Sequence, residues 1–517
     1  MRTRGVLLPA PAVFPLAALA CASIACTGCS DAPDSGTASD ASASDATVGG
    51  DYLLEGNPCT DSIASVYMDP GAAFAMNPKG AILKCAHDQD LTAAQLLAAA
   101  QASDDAGNAG YTGRPFTSGA HIYRLLYRTE RGDSLPSPGY SSALVLLPDM
   151  PRAARSPVVV ASHGSRGQAA HCAPSLLDPA AADTNPDFLH LVYSLVGFGY
   201  AVIAPDLAGY ANFGAPGNPP SVYAGSADVG KSTLDGARAL RQLIPRSVTE
   251  QVVLVGHSLG GHTALSALSM ADSYGADGVI AAVAVYAPLW FSQRTWAGIF
   301  LEPTIRAFAV SSAGPVSLWY HYTHEALLDD GGYGVFVPSQ LPTVTSFVDD
   351  DCWSTSYPDL EAAGTSANAF FTAAYQSSIL PGVFPGGSCG QDAVCQTWTA
   401  RMTADWPHLT GGAAKVPILL LYANDDTTVT PDLMACVFQR LSTDGANYSV
   451  CYDQDPVGHS GIVEARADVV ADWIAAETLG GQPPTACPSA LGTDGGVPVL
   501  TDDAGAPVPC NPLESTE

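Results

Sequence analysis

The stretch Val252-Val253-Leu254-Val255-Gly256-His257-Ser258-Leu259-Gly260 decides how this chain folds. Four consecutive apolar residues, three of them β-branched, read as a strand buried on both faces. Helical patterning begins at Gly260 and runs to Ala271, so strand must turn into helix within a few residues. A turn that sharp needs glycine wherever a side chain would meet neighbouring backbone. It also leaves Ser258 at a helix N-terminus, where the macrodipole favours developing negative charge. G-x-S-x-G in a strand–turn–helix setting is the pattern of a serine nucleophile.

Such a serine needs a base, and the base needs an orienting acid, following in the order Ser, Asp or Glu, His. Tyr422-Ala423-Asn424-Asp425-Asp426-Thr427-Thr428-Val429 lies just past an apolar run, which places an acid at the carboxyl end of a strand. Asp426 is favoured over Asp425 because its D-x-x-V spacing to Val429 matches the usual form of this loop, leaving Asp425 as a solvated or turn-capping neighbour. Gly458-His459-Ser460-Gly461 falls after the last strand, and of eleven His only His459 has the required order and context. Ser162-His163-Gly164-Ser165 ends another buried strand. The backbone N–H groups of Ser165 and Leu259 are the expected donors to a tetrahedral oxyanion.

Further outward, strands and helices alternate. His121 to Thr129 and Ser142 to Leu147 read as an antiparallel pair. Unbroken apolar runs follow at 158–161, 201–204, 252–255, 279–286, 418–422 and 447–452, with helical segments at 188–196, 232–243, 260–271, 431–441 and 462–476. That rhythm predicts a mostly parallel, doubly wound α/β sheet with its site at the carboxyl ends of the strands. From Pro288 to about Ala414 no βα unit occurs, so residues 288–414 read as an inserted, largely helical cap. The expected divisions are 1–29 targeting segment, 30–51 linker, 52–119 N-terminal segment on the core, 120–287 and 415–480 core, and 481–517 tail rich in Pro and Gly.

The chain has 517 residues, with 21 Lys and Arg against 50 Asp and Glu, a net charge of −29. That balance argues against nucleic acid, whose phosphates need cationic partners, and against anionic lipid headgroups. Arg2 and Arg4 precede an apolar segment broken by Pro9, Pro11 and Pro15 and ending in Ala-Cys-Thr-Gly-Cys-Ser. This resembles a bacterial lipoprotein signal with Cys29 as the lipidated residue, although Cys26 stands where Leu is usual; an ordinary cleaved secretory signal is the alternative. A membrane association is expected only through that anchor. Thirteen Cys suggest an oxidising compartment, and the ten outside the leader form an even set. The pairs nearest in sequence, Cys389–Cys395 and Cys436–Cys451, are the expected bridges.

With these residues in place, the chain resembles the α/β-hydrolases, and among them the capped secretory lipases and esterases. Ala204-Pro205-Asp206-Leu207-Ala208-Gly209-Tyr210, Asp235-Gly236-Ala237-Arg238-Ala239 and the hairpin Tyr127-Arg128-Thr129-Glu130 to Ala143-Leu144-Val145-Leu146-Leu147-Pro148 carry that likeness, over about Ala120 to Ala476. His257 replaces the Tyr common at the second elbow position. The resemblance implies an α/β-hydrolase fold and hydrolysis of small-molecule or lipid carboxylic esters, without metal or cofactor, by Ser258, Asp426 and His459. A secreted serine peptidase with the same triad, and a non-catalytic surface protein, are the competing readings.

Other signals are set aside. Gly225-Ser226-Ala227-Asp228-Val229-Gly230-Lys231-Ser232 matches the P-loop string, but Pro216, Pro219 and Pro220 stand where its buried strand belongs. A loop entering a helix capped by Ser232 or Thr233 is expected instead. His321-Tyr322-Thr323-His324-Glu325 lacks the i, i+4 His pair of a zinc site, and Asp349-Asp350-Asp351 lacks calcium-loop spacing. Trp290, Phe291, Trp296, Phe300 and Phe308 are read equally as core or as an acyl pocket.

Overall fold

The computed structural model describes residues 52–102, 110–132, 136–179, 186–210, 218, 220–290, 292, 295, 299–300, 313–328, 334–354, 357–364, 366–383, 387–453, 455–482, 484 and 510. The targeting segment, Cys29, the linker and most of the tail therefore lie outside the described residues, as do Phe291, Trp296 and Phe308. The described residues all belong to the unit Val48–Glu517.

Nine strands form one sheet: β1 (Ile82–Leu91), β2 (Ala120–Arg131), β3 (Ser137–Pro148), β4 (Ser156–Ser162), β5 (Val202–Pro205), β6 (Val248–His257), β7 (Val279–Tyr286), β8 (Ile418–Ala423) and β9 (Tyr448–Asp453). Their order is β1-β2-β3-β5-β4-β6-β7-β8-β9. β1, β2 and β3 are antiparallel, with Ala120 opposite Pro148 and Arg131 opposite Ser137 in the long hairpin. β3 meets β5 antiparallel, and from β5 onward every pairing is parallel.

The apolar runs explain this arrangement. Successive strand side chains point to opposite faces, so a strand covered on both sides must be apolar at every position. Val158, Val160, Val252 and Leu254 enter one core with Leu234, Leu240, Leu265 and Leu268 from the helices Ser226–Leu243 and Leu259–Tyr274. Val159, Ala161, Val253 and Val255 enter the other with Phe188, Val192, Val470 and Ile474 from the helices Pro186–Gly197 and Ala467–Leu479. The chain leaves β4 for β5 on one side and then crosses back to β6 on the other. The loops after β4 and β6 therefore lead off in opposite directions, at the switch point where open α/β sheets put their sites.

Between β7 and β8 the described residues contain helices and take part in two isolated bridges, Phe336 with Phe371 and Cys352 with Gly167, which lies outside the insertion. The longest helices are Ala313–Leu328, Leu341–Asp350 and Ala393–Ala404. Among the described residues this inserted region is fastened to the sheet domain at several points. Cys172 and Cys352 are disulfide-bonded, and Trp353 N donates to Arg166 O at 2.9 Å. Tyr223 N donates to Thr323 Oγ1 at 3.1 Å. Asp405 accepts from Ser226 N at 3.0 Å through Oδ1 and from Ser226 Oγ at 2.7 Å through its carbonyl.

Three expectations need correction. The helix expected from Ser232 begins at Ser226, with Gly225 at its N-cap and no side-chain cap of its own. Asp405 supplies that cap from the inserted region, so no local residue marks the start. Ser232 Oγ instead accepts from Ala208 N at 3.1 Å, and Thr233 donates to Val229 O at 2.8 Å within the helix. The helix expected over 462–476 is two, Gly458–Ala465 and Ala467–Leu479, divided at Arg466, whose φ of −123° is not helical. Cys389–Cys395 is a disulfide, but Cys436 pairs with Cys510 rather than Cys451. Cys436 packs on one face of the sheet and Cys451 on the other, so the sheet itself separates them. Cys59–Cys85 completes the four bridges seen between described residues, and Cys451 is also disulfide-bonded.

Candidate active site

Ser258 stands between β6 and the helix Leu259–Tyr274 with φ 55° and ψ −119°, a conformation sparsely populated by residues with a side chain. Its surroundings hold it there. A Cβ on Gly256 would lie 2.0 Å from Gly260 O, one on Gly260 would lie 1.9 Å from Ser162 O, and one on Gly261 would lie 2.7 Å from Pro288 Cβ. Ser258 N donates to Tyr286 O at 2.9 Å, and Ser258 O accepts from Leu289 N at 2.8 Å. The elbow is thus clamped between β4, β7 and the first residues of the inserted region. The N–H of Leu259 opens the helix, where the first turn's donors have no intrahelical acceptor.

The loops after β8 and β9 bring Asp426 and His459 together. His459 Nδ1 lies 2.7 Å from Asp426 Oδ2. A carboxylate only accepts, so Nδ1 is the donor of this hydrogen bond and the other ring nitrogen is Nε2. Asp426 Oδ1 accepts from Thr428 N and Val429 N, both at 2.8 Å, which fixes the carboxylate plane. Its side chain is fully buried, whereas that of His459 is 15% exposed. The neighbouring Asp425 is exposed, and its Oδ1 accepts from Gly458 N at 2.9 Å.

His459 is carried to the elbow itself. Its ring lies 4.6 Å from that of His257, the residue preceding Ser258. His257 Nε2 donates to the carbonyl of His459 at 2.9 Å. His257 was visible in the sequence only as the variable second position of the elbow.

The loop after β4 is held by its histidine. Burial lowers the His163 imidazole below its ordinary value and so keeps it neutral. Nδ1 donates to Gly164 O at 2.6 Å. In a trans peptide the carbonyl and the next N–H point opposite ways, so the Ser165 N–H faces away from the His163 ring. The Ser165 hydroxyl lies 2.5 Å from Tyr223 Oη. The buried Asp206 carboxyl, raised by desolvation, accepts from Ser142 Oγ at 2.6 Å and from Ser175 N at 2.7 Å, tying β3 and the residues beyond β4 together. Tyr223 had no signal in the sequence, and Asp206 stood there only as part of the stretch Ala204 to Tyr210 that carries the family likeness.

The remaining candidates are placed differently. Trp290 packs 5.7 Å from Trp406, and Phe300 packs 5.1 Å from Phe371, both buried as core. His321 donates from Nδ1 to Ser317 O at 2.7 Å inside its own helix, and burial lowers its imidazole to about 4. Among the described residues, His171, Cys172 and Cys352 form the one grouping of metal-ligating atoms, and its two sulfurs are joined in a disulfide.

A buried, hydrogen-bonded Asp–His pair and a strained serine elbow thus lie together at the switch point of a mostly parallel sheet. Residues 158–473, more than half of the chain, match the alpha/beta hydrolase family, and the chain belongs to that family. Among solved structures it is similar to the rice cell wall degrading esterase LipA from Xanthomonas oryzae, with 16% identity and a TM-score of 0.55 over 78% of this chain and 99% of that one. It is likewise similar to Candida antarctica lipase A in its closed state, with 16% identity and a TM-score of 0.56 over 82% and 88% of the two chains. At these identities the likeness is one of fold. No curated protein matches the chain by sequence.

Proposed function

We propose that the protein hydrolyses carboxylic esters of small molecules or lipids through an acyl-enzyme on Ser258. Ser258 Oγ attacks the carbonyl carbon while His459 Nε2 takes its proton. The tetrahedral oxygen receives hydrogen bonds from the N–H groups of Leu259 and Ser165. The C–O bond to the alcohol breaks as His459 returns the proton to the departing oxygen, and water repeats the cycle on the acyl group. Asp426 holds the tautomer in which Nε2 is the basic nitrogen and balances the imidazolium that forms. The observation that carries this reading is the 2.7 Å contact from His459 Nδ1 to Asp426 beside the strained Ser258. The similarity in fold to an esterase and a lipase supports the choice of bond.

We further propose that the chain is exported and anchored through Cys29. The four bridges are compatible with an oxidising compartment. Purified Ser258→Ala is expected to lose nearly all turnover on p-nitrophenyl esters from acetate to long-chain acyl groups. Retained turnover would overturn the reading. Palmitate labelling that disappears in Cys29→Ala tests the anchor.

A further inference from the structure

Three successive main-chain and side-chain groups around His459 are each held by a different residue. Gly458 N donates to Asp425 Oδ1 at 2.9 Å, His459 Nδ1 donates to Asp426 Oδ2 at 2.7 Å, and His459 O accepts from His257 Nε2 at 2.9 Å. Asp426 fixes the ring, but it cannot fix the backbone from which the ring hangs. That backbone turns at Gly458, whose φ of 67° suits glycine and whose missing side chain gives the loop no packing of its own. The helix Gly458–Ala465 that starts there has no side-chain cap from its N-cap, Val457. Asp425 reaches across from the β8 loop, 33 residues earlier, to take that orphan N–H. On the other side, His257 is buried and belongs to the rigid end of β6, so its donor is fixed relative to Ser258.

We infer that His257 and Asp425 are positioning residues which clamp the main chain of His459, setting the distance between its imidazole and Ser258. The inference rests on the ester-hydrolase reading and deepens it. The two adjacent acids divide the labour: Asp426 orients the ring and Asp425 the backbone. The residue preceding the nucleophile performs the matching task from the nucleophile's own strand. The His257 ring, 4.6 Å from that of His459 and inclined at 48°, also walls one side of the imidazole. A shift of the His459 main chain away from the serine would have to break the carbonyl contact first.

The test separates donor chemistry from bulk. His257→Leu removes the donor, whereas His257→Gln keeps an N–H near the place of Nε2. Asp425→Ala removes the acceptor, whereas Asp425→Asn keeps an oxygen that can accept from Gly458 N. A displacement of the base by about 1 Å costs on the order of 100-fold in turnover. We expect kcat on p-nitrophenyl acetate to fall roughly 10- to 100-fold in His257→Leu and in Asp425→Ala, with KM changed less than about 3-fold. His257→Gln and Asp425→Asn should recover most of the loss. Labelling of Ser258 by a fluorophosphonate should slow in the same proportion, because it needs the same base. Turnover within about 3-fold of wild type in His257→Leu or in Asp425→Ala would overturn the clamp for that residue. Equal losses in Leu and Gln, or in Ala and Asn, would overturn it as well. Ser258→Ala, assayed in parallel, reports on the underlying reading: its activity overturns the hydrolase, while its inactivity leaves the clamp to be judged on the other four variants.

Discussion

Replacing Asp426 by Asn exchanges one oxygen for an NH₂ group and should remove most of the proposed activity. Oδ1 receives two backbone N–H groups, from Thr428 and Val429, each at 2.8 Å. In the variant only the amide oxygen can satisfy both, so the NH₂ group is forced into the position of Oδ2, facing His459 Nδ1. Two donors then oppose each other across the 2.7 Å occupied in the wild type. The imidazole relieves this by moving its proton to Nε2, which turns Nδ1 into an acceptor and leaves no lone pair toward Ser258. A base held in the wrong tautomer costs about 10,000-fold in kcat, or roughly 5.5 kcal/mol of barrier. The fold should be untouched, because every buried donor around the carboxylate keeps its acceptor. The assay is kcat for p-nitrophenyl acetate near neutral pH, with the melting curve recorded beside it. Asp425→Asn is the control and should stay within a few-fold of wild type. A loss below about 10-fold in Asp426→Asn, or an equal loss in Asp425→Asn, would refute the assignment of the acid.

Three further outcomes are expected. Ser258→Gly should be inactive but more stable by about 1 kcal/mol, since φ 55° is strained for serine and free for glycine; a lower melting temperature than Ser258→Ala would contradict this. Burial lowers the His262 imidazole from 6.5 to about 4 while its Nε2 donates to Ala224 O. A histidine with a depressed native pKa binds protons preferentially when unfolded, so its stabilising contribution is full above about 6.5 and falls by about 3 kcal/mol as pH drops to 4. His262→Gln, which keeps a donor and cannot titrate, should therefore flatten the decline in melting temperature between pH 6.5 and 4; an unchanged slope would exclude His262 as its source. Opening Cys172–Cys352 by a Cys352→Ala and Cys172→Ala pair should cost up to about 5 kcal/mol, given 180 residues between the sulfurs, with denaturant melts as the readout.

Much of the candidate site was legible because its residues stand in contiguous stretches. The elbow is a contiguous string, and Asp426 and His459 each sit one loop past an apolar strand, so order along the chain stood in for position in space. The central strands were legible for a related reason: burial on both faces forces an unbroken apolar run, as in Val158 to Ala161. β1 had no such signature. Its Ile82–Leu91 sequence includes Lys84, His87, Asp88, Gln89 and Asp90, because an edge strand needs only part of its surface covered. The start of the helix at Ser226 was hidden because its cap, Asp405, lies 179 residues away. The bridge from Cys436 to Cys510 was hidden because proximity in sequence says nothing about which face of a sheet a residue occupies. His257 and Asp425 were visible as letters, but their roles depend on a main-chain carbonyl and a main-chain N–H that no side-chain pattern encodes.

The cap that Asp405 places on the helix Ser226–Leu243 bears on how such proteins can be recombined. The inserted region is not an interchangeable module. A chimera carrying the insertion of another hydrolase would lose an acceptor for Ser226 N and the sulfur partner of Cys172 at the same time. The recipient would then begin one of its central helices on an open turn beside the loop that holds Ser165. Grafts intended to change substrate range would have to carry Asp405, Cys352 and their spacing with them, or restore both contacts within the recipient.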